Sequence, residues 1–512
     1  MQDEFSLRVT SMRAGRALVN PLNFLLATRD TGYKSTAVAM AELIDNSLQA
    51  HARNVAVQVS ASGDRQMPIE IVVLDDGEGM DVDILQDALT FGGSSRFNDR
   101  SSLGRYGMGL PNGALSRSRR VEVYTWRGGV MLRSVLDVDR IMREGEDALP
   151  SVEQITSPPF LVSTATGTTV RLLQCDRVEY RKATALASRL EGELGRIYRH
   201  FIAEGLCLTI NGIPVTAYDP LGLQPSSRWS GGRQFGDTLN YSIPGSDAKG
   251  KIAVRFSELP VDKWHDLPPE DKKLRGVTNA PCVSIVRAGR EIDRGWFFMG
   301  SKRRENYDDW WRCEIAFDPF LDELFGITHS KQAISPRTEL LDMLTADLEP
   351  IARALNNRVR KQFELVRSVV PLGAAERQAS RVDAALPPMP KRRGTVPAEL
   401  EDVLFGNQRR TGDFGPYKIV VRDLPTTAAF EVLVRDRRLL LLLNSKHPIY
   451  RDLYGPLAMS ESPRDQDIAK HVALTLLAAA RAEVSTWPRV GGTNSPRFRQ
   501  TWADVLATFM NA

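Results

Sequence analysis

Residues 36–49 read TAVAMAELIDNSLQ, and the polar positions Glu42, Asp45, Asn46 and Gln49 recur at i, i+3, i+4 and i+7. That spacing puts all four on one helix face, with Met40, Ala41, Leu43, Ile44 and Leu48 supplying the rest of the surface. Ser35 or Thr36 is placed to cap the first turn, and Ala, Met, Glu and Leu favour helix. A wet helix face usually carries Lys, Arg and Glu paired four apart, whereas this stripe has two acids, two amides and no cation. Two readings follow: an ordinary amphipathic face, or a stripe lining a cavity that handles a cation or water.

Alternating patterns predict strands at 55–60 (VAVQVS), 69–76 (IEIVVLDD), 121–126 (VEVYTW) and 168–173 (TTVRLL), interleaved with helices and glycine-rich breaks. A helix is expected at 183–203, then a hairpin over 206–219 around Asn211-Gly212, and a second hairpin over 282–294. Residues 337–370 read as a long helix with a bend at Pro350. The Ala-, Pro- and Arg-rich stretch 372–398 reads as a linker. Beyond it come strands at 418–422, 428–434 and 438–443 and a helix at 466–485. The resulting organisation is an arm at 1–34, an α/β domain at 35–180, a second α/β domain at 181–370, a linker at 371–399 and a small C-terminal α/β domain at 400–512.

Composition narrows the class. A chain of 512 residues with 42% apolar content has room for about three domains with ordinary cores. The net charge is only +4, so the chain is no global polycation, but RSRR at 117–120, SKRR at 301–304, PKRR at 390–393 and RDRR at 435–438 keep nucleic acid open as a partner. Cys175, Cys207, Cys282 and Cys313 are scattered and form no CxxC, which argues against a disulfide framework or zinc site. No apolar run reaches membrane-spanning length, and the N-terminus lacks a signal-peptide core, so a cytoplasmic protein with no membrane partner is expected.

Three further motifs carry chemistry. In VVLDDGEGMD (72–81) a hydrophobic strand runs into Asp75, Asp76, Gly77, Glu78, Gly79 and Met80. The glycines permit a tight turn with room for a flat ligand, and Asp75 can accept a hydrogen bond from an exocyclic amine; alone, the motif is more often a surface turn. In TFGGSSRFNDRSSLGRYGMGLPNGALS (90–116), Gly104, Tyr106, Gly107, Met108 and Gly109 precede a helix-like segment, an arrangement whose backbone N–H groups favour phosphate. ATGTTVRLL (165–173) sets Thr168 at the entry of a strand.

In this order and spacing the four motifs resemble the GHKL ATPase superfamily of gyrase B, the ninety-kilodalton heat-shock chaperones, sensor histidine kinases and MutL. The resemblance spans roughly residues 25–180, and AELIDNS, DDGEGM and GRYGMGLPNGA look most like its MORC branch, which stands close to MutL. It implies an α+β chain: a GHKL (Bergerat) α/β sandwich, a transducer-type α/β domain, and a small C-terminal α/β domain. It also implies ATP with Mg²⁺. Glu42 matches the general base and Asn46 the metal ligand; Asp75 matches the adenine-reading carboxylate, with Gly77, Gly79 and Met80 at the base. Gly104, Tyr106, Gly107, Met108 and Gly109 match the phosphate lid, and Thr168 the pocket-closing threonine. Asp45 has no settled role.

The segment CEIAFDPFLDELFGITHSKQAISP (313–336) resembles a MORC/MutL transducer loop, in which Lys331 matches the lysine that reaches the γ-phosphate. The family's habit of ATP-dependent homodimerisation implies a nucleotide-gated clamp. Its setting implies DNA and nuclease or helicase partners, in bacterial phage defence or DNA repair. A chaperone-like ATPase with protein clients, and an ATP-switched scaffold with little turnover, are the alternatives. His447 and Asp452 in the C-terminal unit read as parts of a structural turn, and no DNA-cleavage signature is visible.

Overall fold

A computed structural model describes residues 21–30, 32–93, 108–144, 151–244, 249–278, 283–327, 333–386, 388–393 and 415–486. The chain forms two compact units, Met1–Asn356 and Asn357–Ala512.

Among the described residues the first unit holds two sheets. An eight-stranded sheet has the order β5-β4-β3-β6-β2-β1-β7-β8. Its strands are β1 (Asn54–Ala61), β2 (Ile69–Asp75), β3 (Arg120–Arg127), β4 (Val130–Asp137), β5 (Glu153–Gln154), β6 (Gly167–Leu173), β7 (Cys207–Ile210) and β8 (Ile213–Pro214). All pairs are antiparallel except β1 with β7. The expected turn between β7 and β8 is present, with Asn211 and Gly212 both at positive φ, as a two-residue hairpin requires.

Helices α1 (Pro21–Asp30), α2 (Thr36–Gln49), α3 (Val82–Leu89), α4 (Gly109–Leu115) and α5 (Val138–Glu144) belong to this layer, with α6 (Ala183–Ile197) and α7 (Arg199–Ala203). The apolar positions of α2, including Met40, Ala41, Leu43 and Ile44, share one buried core with Val57, Ile71 and Val73 of the sheet and with Leu190 and Leu194 of α6. Burying these side chains supplies the main driving force for α2 to lie on the sheet. The helix begins where expected: the Ser35 hydroxyl accepts from the Val38 N–H at 3.3 Å. The segment read as an arm contains α1, which Arg29 fastens by donating to the Leu115 carbonyl at 2.8 Å and to Asp176 at 2.7 Å.

The second sheet of this unit, ordered β12-β11-β13-β10-β9, uses β9 (Arg233–Pro244), β10 (Lys249–Glu258), β11 (Val283–Arg287), β12 (Arg290–Gly295) and β13 (Trp311–Phe317). Its core joins Ile252, Val254, Ile285 and Ile315 to Leu340, Leu344, Leu348, Ala352 and Leu355, which recur along the start of α8 (Thr338–Val382).

Helix α8 corrects the sequence reading in extent. The helix expected to end at 370, with a linker from 371, continues to Val382 through both Pro350 and Pro371. The stretch GAAERQAS is rich in helix formers, and Leu372 and Ala375 are buried in the core of the second unit, which outweighs the proline signals. That unit has a four-stranded sheet, β14-β16-β17-β15, made of β14 (Arg392–Arg393), β15 (Tyr417–Arg422), β16 (Phe430–Arg435) and β17 (Arg438–Asn444). A closing helix, α9 (Pro463–Thr486), buries Ala473, Leu477 and Ala480 against the same core as Leu439, Leu441 and Leu443. His447 is buried and its Nδ1 accepts the Ile449 N–H at 3.2 Å, so it closes the turn after β17.

Candidate active site

Sheet register assembles the first part of the site. Asp75, the last residue of β2, lies opposite Thr168 on β6, and Thr168 lies opposite Thr125 on β3. Asp75 Oδ1 accepts the Gly77 N–H at 2.9 Å and the Thr168 N–H at 3.2 Å, while Oδ2 accepts the Ser47 hydroxyl of α2 at 2.8 Å. Burial pushes the Asp75 carboxyl above the ordinary carboxylate range, and the three hydrogen bonds offset this only in part. The Thr125 hydroxyl ties the row together, standing 3.2 Å from Thr168 Oγ1 and accepting the Met80 N–H at 2.8 Å. Ser47 and Thr125 were not singled out in the sequence, because an isolated hydroxyl carries no pattern.

The glycines beside Asp75 are sterically required. Gly79 has φ of 71°, and a methyl group there would stand 2.4 Å from the Trp126 carbonyl oxygen. At Gly77 a methyl would stand 2.8 Å from Ala50 Cβ. The turn therefore packs directly on the end of α2 and on β3, and no side chain fits between.

The polar stripe of α2 divides in two directions. Glu42 and Asn46 face α4: a methyl at Gly109 would lie 3.2 Å from Glu42 Oε2 and 3.9 Å from Asn46 Oδ1. Asn46 is half-buried, and its side chain makes no hydrogen bond among the described residues. Asp45 faces the second sheet. Its Oδ1 accepts the Tyr198 hydroxyl at 2.7 Å and its Oδ2 accepts Arg290 Nη1 at 2.6 Å. The same Arg290 nitrogen donates to Glu42 Oε1 at 3.1 Å. Glu42, Asp45 and Arg290 are 3%, 1% and 2% exposed, so both carboxylates and their shared cation lie inside the protein. Burial works against the Arg290 charge, but Asp45 and Glu42 outweigh it and raise the guanidinium above its ordinary pKa. Gln49 is half-buried with Nε2 unpaired, and the site gives it no role.

Met80, Gly109 and Thr168 thus stand with Glu42, Asn46, Asp75, Gly77 and Gly79, and Met108 is placed only as the residue that precedes Gly109 at the start of α4. Gly104, Tyr106, Gly107 and Lys331 lie outside the described residues. Among the described residues no group of three or more His, Cys, Asp or Glu side chains could hold a metal. A divalent cation here would therefore take few protein ligands and complete its shell with substrate oxygens and water, as Mg²⁺ does in nucleotide sites. The free amide of Asn46 beside Gly109 fits that role.

A helix with an inward acid–amide stripe, a strand ending in an aspartate over glycines, and a strand threonine opposite it are the arrangement that the resemblance to GHKL ATPases leads one to expect. Residues 33–168 match the family of histidine kinase-, DNA gyrase B- and HSP90-like ATPases, and the chain carries an ATPase domain of that superfamily in an α+β setting. Over part of this region the chain is similar to MORC ATPases. Over 122 residues it is 31% identical to mouse ATPase MORC2B, covering 24% of this chain and 12% of that protein. Over 116 residues it is 34% identical to ATPase morc-1 of Caenorhabditis elegans, covering 23% of this chain and 13% of that protein. Human ATPase MORC2 is 29% identical over 122 residues, 24% of this chain and 12% of its own length. The likeness is thus confined to a small part of each relative. No helix among the described residues is long and apolar enough to cross a membrane.

Proposed function

We propose that the protein binds and hydrolyses Mg·ATP, and that Glu42 is the base of the reaction. The observation that carries this is the placement of Glu42. It is a buried carboxylate with one oxygen next to Gly109, one turn from the unpaired amide of Asn46 and on the same helix as Ser47, the partner of Asp75. Asp75 would read the adenine amine through the carboxylate edge that Ser47 also touches, and the turn at Gly77 and Gly79 gives the base a flat floor. Asn46 would hold Mg²⁺, which supplies charge neutralisation to the phosphates when bound. Glu42 takes a proton from water as the water oxygen bonds to the γ-phosphorus; the bond from that phosphorus to the β–γ bridging oxygen breaks, and ADP leaves. By resemblance, the lid residues Gly104, Tyr106 and Gly107 close on the phosphates, and Lys331 contacts the third.

A general base is typically worth ~10²–10⁴ in rate, so Glu42→Gln should bind ATP normally and hydrolyse it about a hundredfold or more slowly. Turnover at the parental rate in that variant would remove Glu42 as the base. Asn46→Ala should lose Mg-dependent nucleotide affinity instead, and Lys331→Ala should slow hydrolysis while sparing ADP binding.

The MORC relationship supports an ATP-dependent homodimer that clamps on DNA, with a phage-defence or repair setting in the cytoplasm and nuclease or helicase partners. ATPase stimulation by DNA that falls steeply with salt is the expected signature. Stimulation by unfolded protein but not by DNA would mark a chaperone instead.

A further inference from the structure

Arg290 opens β12 directly after the turn Ala288-Gly289, whose residues have φ of 46° and 81°. The hairpin tip is held on several sides. A methyl at Gly289 would lie 3.3 Å from the Phe201 ring of the α7 segment. Arg287 donates to Asp322 at 2.6 Å. Glu291, the next residue along, accepts Arg199 Nη1 at 2.8 Å and the Ser284 hydroxyl at 2.6 Å. Arg290 is therefore no swinging surface cation. It is presented at a fixed place to two carboxylates that lie 248 and 245 residues away in the chain.

Asp45 is spoken for on both oxygens, by Arg290 and by Tyr198, which also donates to the Ala41 carbonyl at 2.6 Å. It anchors Arg290, and Arg290 in turn engages Glu42 through Oε1 only, while Oε2 lies on the side of Gly109. A carboxylate held at Oε1 is fixed in the orientation that sets Oε2 beside Gly109, the side on which the proposed function puts the phosphates. Without the guanidinium, Glu42 and Asp45, one turn apart in a buried pocket, would lose the cation that bridges them, and Glu42 would lose its hold at Oε1. We propose that Arg290 is the positioning residue by which the second sheet holds the Glu42 carboxylate ready for water, so that the hydrolytic centre is complete only when the β11–β12 hairpin is docked. This rests on the reading of Glu42 as base.

The test uses the full chain and four variants: R290M, R290K, E42Q and R290M/E42Q. Nucleotide affinity is read with a fluorescent non-hydrolysable ATP analogue, and chemistry by single-turnover hydrolysis. R290M should slow hydrolysis by about a hundredfold, the low end of what a general base supplies, with analogue affinity held within about threefold. R290K, which restores a cation without the planar fork, should recover part of the rate. In the E42Q background the further change R290M should cost nothing, because the two residues act as one unit. A rate for R290M within about threefold of the parent, or additive losses in the double variant, overturns the proposal while leaving Glu42 as base. Parental turnover in E42Q removes the base reading and this proposal together. If R290M unfolds, D45N/R290M removes the excess buried charge along with the cation. It should melt near the parent yet hydrolyse as slowly as expected of R290M, and parental turnover in it refutes the proposal.

Discussion

Asp75→Asn separates the proposed ligand-reading role of this carboxylate from its structural one. In the parent, Oδ1 accepts two backbone N–H groups, at 2.9 Å from Gly77 and 3.2 Å from Thr168, and Oδ2 accepts the Ser47 hydroxyl at 2.8 Å. An asparagine keeps Oδ1 for both N–H groups, and its Nδ2 donates to Ser47 Oγ, whose hydroxyl can accept as well as donate. The internal network thus survives, whereas the edge offered to the adenine amine changes from acceptor to donor. A hydrogen bond to a charged acceptor contributes about 1.5–3 kcal/mol, so at 1.4 kcal/mol per tenfold the variant should bind ATP about 10- to 150-fold more weakly.

Stability should move the other way. The native carboxyl is raised above its ordinary 3.8, mainly by burial. A raised acid binds its proton more tightly folded than unfolded, so ionised Asp75 is a liability to the fold above its native pKa, relieved as pH falls through it. Asp75→Asn should therefore melt at or above the parental temperature at neutral pH while losing ATP. The acid-side loss of nucleotide affinity, set in the parent by protonation of Asp75 above pH 3.8, should disappear in the variant. Calorimetric titration with the ATP analogue and thermal melts without ligand decide the matter. Parental affinity in Asp75→Asn, or a melt lowered as far as that of Asp75→Ala, refutes the reasoning.

Three other outcomes are expected. Tyr198→Phe leaves Asp45 Oδ1 and the Ala41 carbonyl without their shared buried donor, and should cost about 1–3 kcal/mol in urea unfolding, with nucleotide affinity intact. Gly79→Ala forces a side chain into φ of 71° and to 2.4 Å from the Trp126 carbonyl, so it should lose at least about 2 kcal/mol of stability and weaken ATP binding along with it. Glu314 is buried, yet Arg199, His200 and Arg255 hold its carboxyl well below the ordinary 4.5. A depressed acid stabilises the fold above 4.5 and loses that contribution as pH falls towards its native value, so Glu314→Gln should cost about 3–5 kcal/mol at pH 7, with the gap to the parent closing in acid. A pH-independent gap would show that packing, not charge, is responsible.

The helix, strand and turns around the candidate site were legible because each announces itself locally. A helix stripe repeats at 3.6 residues, strand β2 alternates into a glycine turn, and Asn211-Gly212 is a strong hairpin signal. Helix α8 was misjudged in length because Pro350 and Pro371 argue locally for interruption, while the burial of Leu355 and Leu372 on either side is a tertiary effect. Asp45 could not be assigned from sequence, since Tyr198 and Arg290, which bind its two oxygens, stand in other elements, on the α6–α7 corner and on β12. The only clue to Arg290 was its place in a hairpin pattern, RAGREID, whose charged residues look like an exposed tip. In the structure Arg290, Glu291 and Arg287 are all buried.

The charges at that tip do something that apolar residues would not. A buried ion pair is seldom a net gain in stability over a well-packed hydrophobic group, so stability alone does not account for Glu42, Asp45 and Arg290 meeting inside the protein. Orientation does. Successive residues of a strand point to opposite sides, and here Arg290 meets the two acids of α2 while Glu291 meets Arg199 and Arg196. A slip of the hairpin by one residue in one direction would set Glu291 against Glu42 and Asp45, and a slip in the other would set Arg290 against the two arginines, so that either slip brings like charges together in a water-poor interface. Leucines at 290 and 291 would bury comparable area in either register and impose no such choice. The alternating pair thus selects one docked arrangement of the hairpin, the same arrangement that brings a guanidinium to the back of Glu42.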